Sequence, residues 1–568
     1  MVDDNNHSFW SELKENKFSW LLLFVVVIII FFVNLGAGGL PSAQEGRAGI
    51  VARNMLETGN WEHIVYYGAI TTEKPILCYW FYALSGLILG GINEFSVRVP
   101  SALAAIITVI ISCHMAFRIY GRKTAILSGY ILSTMTLFVN LGHIARIDIV
   151  LCAFYTALMS LMYFGYFKDF KANKLLYIFY PLLGLSILVK GPLSAGLIGI
   201  TVILIVAIKR NPKIIWDMKP IYGVIVVLLI AAPWFIIENM RTNGAFSWDF
   251  FVNQNISRFT GIDMTYRDGK RGPIFFYLPK LFVSALPWAI FIPFALVNYF
   301  KKLKKLKWST YYLVIWFFVV FIFFTLAAIK RGDYIVPLLP ALAILIGRYI
   351  DLLIVKAPTL SKKWVPFFAG LIVLFAAALI FVKLGVLRYL GVLGSEDNLK
   401  FVARRDGRAM IAISDLVNEN FIFVIIGVFI ILGLFYYFCK LLEKGSINRV
   451  INIVIALSFI GVVIYYVYIL PIECKYDTVK FFCADADKII PKDARVFIGN
   501  DEETIYYLGR AYDVNGPLYD ENHTLNYKYW VEEPKVYDRS PQWLKDMFVL
   551  KIQTIPNHNN AYALYVAK

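Results

Sequence analysis

Leu21 to Val33 carries no polar side chain, and runs of this kind recur along most of the chain. In hydrocarbon every backbone N–H and C=O must be satisfied within the protein, so such segments survive there only as helices or closed barrels. Long continuous runs, as opposed to short alternating ones, select helices. Hydrophobic residues make up 59% of 568 and mean hydropathy is +0.64, so the chain reads as an α-helical polytopic membrane protein. The first run follows Lys14 and Lys17 as a signal peptide would, yet no small-residue cleavage site leads into a soluble domain. It is read as a retained first span.

At roughly 20 residues per crossing, about thirteen spans are expected. They lie near residues 19–38, 97–117, 124–142, 147–167, 175–189, 192–208, 220–239, 274–299, 309–329, 334–354, 364–387, 421–439 and 450–470. Residues 76–91 are apolar but short, and are read as a re-entrant or interfacial helix. Every second loop is basic, for example Arg118, Arg122 and Lys123, then Lys209, Arg210 and Lys213, then the five lysines between Lys301 and Lys307. Cytoplasmic loops carry that excess, which puts the N-terminus inside, and the C-terminus and the first long loop, 39–95, outside. The net charge of +17 is then mainly a topology signal, and nothing points to nucleic acid.

The last stretch differs: residues 471–568 hold fifteen acidic and twelve basic side chains. Short β-type runs at Ala494–Ile498 and Ala561–Val566 and a helical pattern over Thr478–Ile490 predict a small α/β domain on the outer side. The expected division is 1–470, transmembrane, and 471–568, outer. Cys474 and Cys483 share that tail and are read either as a disulfide or as two buried thiols. Trp20, Trp80, Trp234 and Trp288 near span ends fit interfacial belts. Asp397–Asn420 predicts an amphipathic surface helix, and His114 a satisfied core histidine.

The reaction site is expected in Pro41–Trp80, where Gln44, Glu45, Arg47, Glu73 and Lys74 crowd charge between apolar helices, a setting in which unpaired charge is costly. Further ionisable residues sit at the outward span ends: Arg146 with Asp148, Lys190, Arg258, then Arg267, Lys270 and Arg271, and Lys330 with Arg331. Each taken alone reads equally as a partner for a nearby carboxylate or as a snorkelling side chain. As a set they suit one shared anion, and phosphate is what several Arg and Lys at a membrane surface bind. Glu45 and Asp148 are the carboxylates placed to take a proton, beside cations placed to stabilise a departing phosphate. The alternatives are a salt bridge from Glu45 to Arg47 or Arg53, and from Asp148 to Arg146.

The order of QEGR, TTEKPILCYW, NEFSVRVPSALAA, the lone Asp of ARID, LVKGP, APWF, NISRF, FFYLP and YIVPLLPALAIL resembles the bacterial aminoarabinose transferases and related protein mannosyltransferase-like enzymes. These are membrane-embedded glycosyltransferases of the C type. The resemblance implies that fold, a polyprenyl-phosphate sugar as donor, and inverting transfer on the periplasmic face of the inner membrane to lipid A, another glycolipid, a glycan or a protein. Residue by residue it matches Asp148 to the acidic residue of the second outer loop, Arg47 and Lys74 to cations that hold the lipid phosphate, and Arg258 to a basic residue of a later loop. It makes Lys190 a further phosphate contact and matches Glu73 to a carboxylate near a metal.

Two departures stand out. Gln44 occupies the place of the family's catalytic Asp and cannot act as a base, so Glu45 or Asp148 supplies the carboxylate, the acceptor is already anionic, or activity is lost. Asn255 stands where a metal-holding His is common, so a divalent metal at Glu73 is not required by the residues. A transporter or flippase of an anionic lipid or solute is the rival reading, but it would place charges near the midplane on broken helices; a catalytically degraded relative that binds the lipid carrier is the third. Nothing in the sequence demands a second chain, and a monomer is expected.

Overall fold

The computed structural model of the chain describes residues 16–356 apart from 41, 67–68, 169–172, 262–271 and 303–304, and residues 447–568 apart from 472–473, 475–477, 500–501, 510–511, 514–517, 520–523 and 555–561; between these stretches it describes 433 and 437. The spans expected at 364–387 and 421–439, the helix expected at Asp397–Asn420, and Arg267, Lys270 and Arg271 lie outside the described residues. The chain divides into two compact units, Met1–Gly36 with Val51–Leu352, and Ala37–Ile50 with Leu353–Lys568.

Among the described residues, six helices are long and apolar enough to cross a membrane. Five belong to the first unit: Glu94–Tyr120, Ile147–Gly165, Pro220–Arg241, Trp308–Leu326 and Gly332–Val355. The first starts sharply because Asn93 and Ser96 form a capping box, each side chain bonded to the other's backbone N–H at 2.9 Å, which satisfies two otherwise orphaned donors. Pro100 falls early in that helix, and Arg98, buried at 4% exposure, donates to the Leu35 carbonyl at 3.1 Å.

Two segments expected as single spans are broken. Residues 122–142 bend by 67° at Met135, and residues 274–301 form the helices Ile274–Ser284 and Trp288–Lys301. Pro287 explains the second break, since it has no N–H and its ring crowds the preceding turn. The first break has no proline or glycine at the bend. Its freed donor is taken up by the other break: Thr136 N donates to Leu286 O at 3.1 Å, and Trp288 Nε1 donates to the Thr134 hydroxyl at 2.8 Å. Irregular backbone at membrane depth is tolerated where the protein itself satisfies it, and here the two breaks satisfy each other.

The tryptophans expected near span ends are packed into the protein. Trp20, Trp234 and Trp288 are 1%, 7% and 0% exposed. The Trp234 and Trp80 indoles donate to the carbonyls of Glu62 and Trp61 at 3.0 and 2.7 Å. They anchor protein to protein.

In the second unit, five strands lie in the order Tyr512–Asp513, Val496–Ile498, Tyr529–Glu532, Ala563–Ala567 and Phe548–Gln553. The first three run parallel and the remaining pairings are antiparallel. The strand residues Trp530, Phe548, Ala563 and Tyr565 pack with Tyr527 and with Leu544 of the helix Gln542–Met547 in one core. The helix Lys480–Ile489 precedes the sheet, and Cys474 and Cys483 are separate buried thiols.

Candidate active site

Arg146 ends the chain's approach to a span in extended backbone, and Asp148 lies in the first turn of the helix that follows, Ile147–Met162. A carboxylate there faces the positive end of the helix dipole. Lys190 is the last residue of the helix Leu176–Lys190, at a negative end, and Gly191 turns the chain with φ +75° before Pro192 leads into the next helix. Left-handed backbone explains the glycine of the Lys-Gly-Pro motif. The same glycine lets the Phe250 ring press on the turn, closer than a Cβ would permit.

These ends meet in one partly buried network. Lys190 Nζ donates to Asp148 Oδ1, and Arg146 Nε lies 3.9 Å from the other Asp148 oxygen. Arg146 also donates to Asp333, whose same oxygen lies 3.8 Å from Arg331. Side-chain exposure runs from 8% at Arg146 and Asp148 through 15% at Lys190 to 25% at Arg331. Lys190 also stands 4.4 Å over the ring of Tyr334. Among the described residues the charges alternate as Lys190, Asp148, Arg146, Asp333, Arg331, three cations with two carboxylates. Sequence reasoning singled out neither Asp333 nor Tyr334, although both stand in the Lys-Arg-Gly-Asp-Tyr run beside two cations it had marked.

Lys330 has a different task. Its ammonium donates to the carbonyls of Phe324, Thr325 and Ala327 at 3.3, 2.5 and 2.6 Å. Those bonds engage all three of its donors and close the C-terminal end of the helix Trp308–Leu326, where carbonyls lack intrahelical partners. Burial lowers its pKa from the ordinary lysine value. Lys330 is therefore a cap, while its neighbour Arg331 joins the network.

The remaining candidates are spread over further elements. Glu73 and Lys74 are half-buried in the turn before the helix Leu77–Ile88, and Thr72 beside them donates to Asp249 Oδ2 at 2.5 Å. That bond ties the Glu73–Lys74 turn to the segment Trp248–Ser257, which runs into half-buried Arg258. The Arg258 carbonyl in turn accepts from Ile329 N at 3.1 Å, next to Lys330. Asn255, at the position matched to a metal-holding His, donates its amide to the Phe250 carbonyl at 2.7 Å. Among the described residues no three His, Cys, Asp or Glu side chains converge as a ligand set, so Glu73 gains no metal site from its surroundings. A buried pair not foreseen from sequence, His63 Nδ1 with Glu238 Oε2 at 2.8 Å, fastens the same loop to the end of the helix Pro220–Arg241.

Glu45 and Arg47 belong to the other unit. Glu45 is fully buried; its N–H donates to Ser42 Oγ at 3.2 Å, and that hydroxyl lies 3.5 Å from Glu45 Oε2. This is a helix-capping arrangement, and its Ser-x-x-Glu spacing is legible in the sequence. Arg47 pairs with Glu502 of the tail at 3.5 Å.

An apolar cavity of about 560 Å³ lies among the helices that carry Asp148 and Lys190, with Phe81, Leu84, Leu103, Val150, Phe154 and Leu182 in its wall.

The family model for dolichyl-phosphate-mannose-protein mannosyltransferase matches residues 73–237. An uncharacterized protein of Aquifex aeolicus is 29% identical over 340 residues, 58% of this chain and 64% of its own length. The undecaprenyl phosphate-alpha-4-amino-4-deoxy-L-arabinose arabinosyl transferase of Enterobacter sp. is 27% identical over 394 residues, 69% of each chain. The chain spans 57% to 69% of the length of such curated relatives. Among solved structures, ArnT from Cupriavidus metallidurans bound to undecaprenyl phosphate superposes with TM-score 0.73 at 21% identity, covering 96% of this chain and 98% of that one. This chain is thus a helical membrane protein of the C-type glycosyltransferase fold. Its sequence is similar to those of bacterial aminoarabinose transferases and, over residues 73–237, to the protein mannosyltransferase family model.

Proposed function

We propose that the chain is an inner-membrane glycosyltransferase that moves a hexose or pentose from a polyprenyl-phosphate carrier to an acceptor on the periplasmic side. The observation that carries this is the surplus cation, among the described residues, in the partly buried network of Lys190, Asp148, Arg146, Asp333 and Arg331. A sugar linked to a lipid through phosphate is a diester with one negative charge, which one surplus cation balances. When the acceptor oxygen attacks the anomeric carbon from the opposite face, the bond from that carbon to the phosphate oxygen breaks. The departing phosphate gains a second charge, and fixed cations stabilise charge that develops in this way. Lys74 and Arg258 are the further cations assigned to it, and Arg47 is read as a phosphate-holding cation within its own unit. The apolar cavity beside the Asp148 and Lys190 helices supports a place for the carrier's hydrocarbon.

Asp148 is already bonded to Lys190 and paired with Arg146, and we assign it to holding both in place. Gln44 is no base and Glu45 caps a helix, so an acceptor that is already anionic, such as the phosphate of a glycolipid, fits these residues best; it needs no proton removed. No step passes through a metal. With this reading go thirteen spans, a cytoplasmic N-terminus, a division into a membrane domain at 1–470 and a periplasmic domain at 471–568, and a monomer.

The test is transfer from radiolabelled polyprenyl-phosphate sugars to envelope lipid, glycan and protein fractions by the purified chain. Transfer by wild type, lost in Lys190→Ala, is the expected result. No transfer from any donor together with no carrier binding would sink the proposal.

A further inference from the structure

The stretch from Gly38 to Gly49 contains four glycines, and each is met by a residue of the tail. A Cβ on Gly38 would fall onto Cys474 Sγ, one on Gly39 onto the Thr478 hydroxyl, and one on Gly49 onto the Tyr506 ring. On Gly46 it would stand 2.9 Å from the Cβ of Glu502 and 3.0 Å from that residue's backbone oxygen. The Tyr507 hydroxyl accepts from Leu40 N at 3.1 Å. The tail is thus seated directly on the backbone of this segment, and the seat at Gly46 brings Glu502 to Arg47 at 3.5 Å, with the two side chains 17% and 18% exposed. Glu45 and Glu503 are buried close by in sequence, at 0% and 2% exposure. An anion arriving at Arg47 meets a guanidinium that already has a carboxylate.

We infer that Glu502 is a specificity-determining residue: it holds Arg47 in an ion pair that a phosphate must displace, and so sets how tightly the chain takes an anionic lipid carrier. This rests on the reading of Arg47 as a phosphate-holding cation. The glycines are what permit it, because any side chain at Gly46 would push the tail backbone and Glu502 away from Arg47.

The experiment is a titration of the full chain in detergent micelles with a polyprenyl monophosphate. It compares wild type with Glu502→Gln, Glu502→Ala, Glu502→Asp, Arg47→Ala and the Arg47→Ala/Glu502→Gln double variant. Removing the charge is expected to tighten binding by about three- to five-fold, the range of a partly exposed ion pair, and to steepen its dependence on salt. Glu502→Asp is expected to lie between, and the double variant to bind as Arg47→Ala does. The inference is overturned if Glu502→Gln and Glu502→Ala bind no more tightly than wild type, or if their gain persists without Arg47. A wild-type chain that binds no carrier overturns the donor reading and this inference together; binding by wild type with no change in the variants overturns the inference alone.

Discussion

The span Gly332–Val355 has partly buried charge at both ends, and the two ends are built differently. Near its C-terminal end Arg348 meets Asp351 at 2.9 Å, Thr124 donates to the same carboxylate oxygen at 2.8 Å, and the guanidinium lies 5.2 Å over the ring of Tyr120. Among the described residues one cation meets one anion there, and a hydroxyl shares the same carboxylate oxygen. At the Asp333 end, among the described residues, three cations share two carboxylates across three separate chain segments. Burying charge costs several kcal/mol per ion before pairing recovers it, so a balanced pair is what stability alone selects. A surplus cation held in place by the fold is what a site for an outside anion requires.

The largest expected effect is at the surplus end. Lys190→Ala is expected to cut the rate of sugar transfer by about 100-fold or more, as loss of one fixed donor to developing charge does, while the protein still folds; initial rates on detergent-purified protein check it. At the balanced end Arg348→Ala is expected to lower stability by about 1–2 kcal/mol, below the cost at a fully buried pair because the side chain is partly exposed. A thermal melt reads that loss, and the turnover of the folded fraction is expected to stay within about two-fold of wild type. Equal damage to activity from both variants would erase the distinction.

Two smaller changes sharpen it. Thr72→Val removes the bond to Asp249 that holds the Glu73–Lys74 turn, and is expected to raise the donor KM about three- to ten-fold with kcat little changed, the worth of one hydrogen bond to a charged group. Lys330→Gln separates capping from phosphate holding. As a cap it is expected to lose about 1 kcal/mol of stability in the same melt, with donor KM unchanged; a raised KM at unaltered stability would return Lys330 to the phosphate site.

Much of this could be read in the sequence because membrane burial is expensive. Apolar length disclosed the helices, and charges at span ends disclosed Asp148, Lys190 and Arg331, which the structure brings into one network. What stayed hidden depends on partners distant in sequence. The bend at Met135 has no local breaker and is stabilised through Leu286, 150 residues away for Thr136. Lys330 and Arg331 are adjacent and chemically alike, and only the three carbonyls facing Lys330 tell them apart. Glu45 drew a catalytic reading from its surroundings although its spacing from Ser42 already carried a capping signal.

The most direct test of the central claim is carrier binding by wild type, Lys190→Ala and Arg348→Ala, measured side by side with a polyprenyl monophosphate at low and moderate salt. The account predicts that Lys190→Ala binds at least about ten-fold more weakly and with a shallower salt dependence, and that Arg348→Ala binds as wild type does. Undiminished binding in Lys190→Ala, or the same loss in both variants, would contradict it.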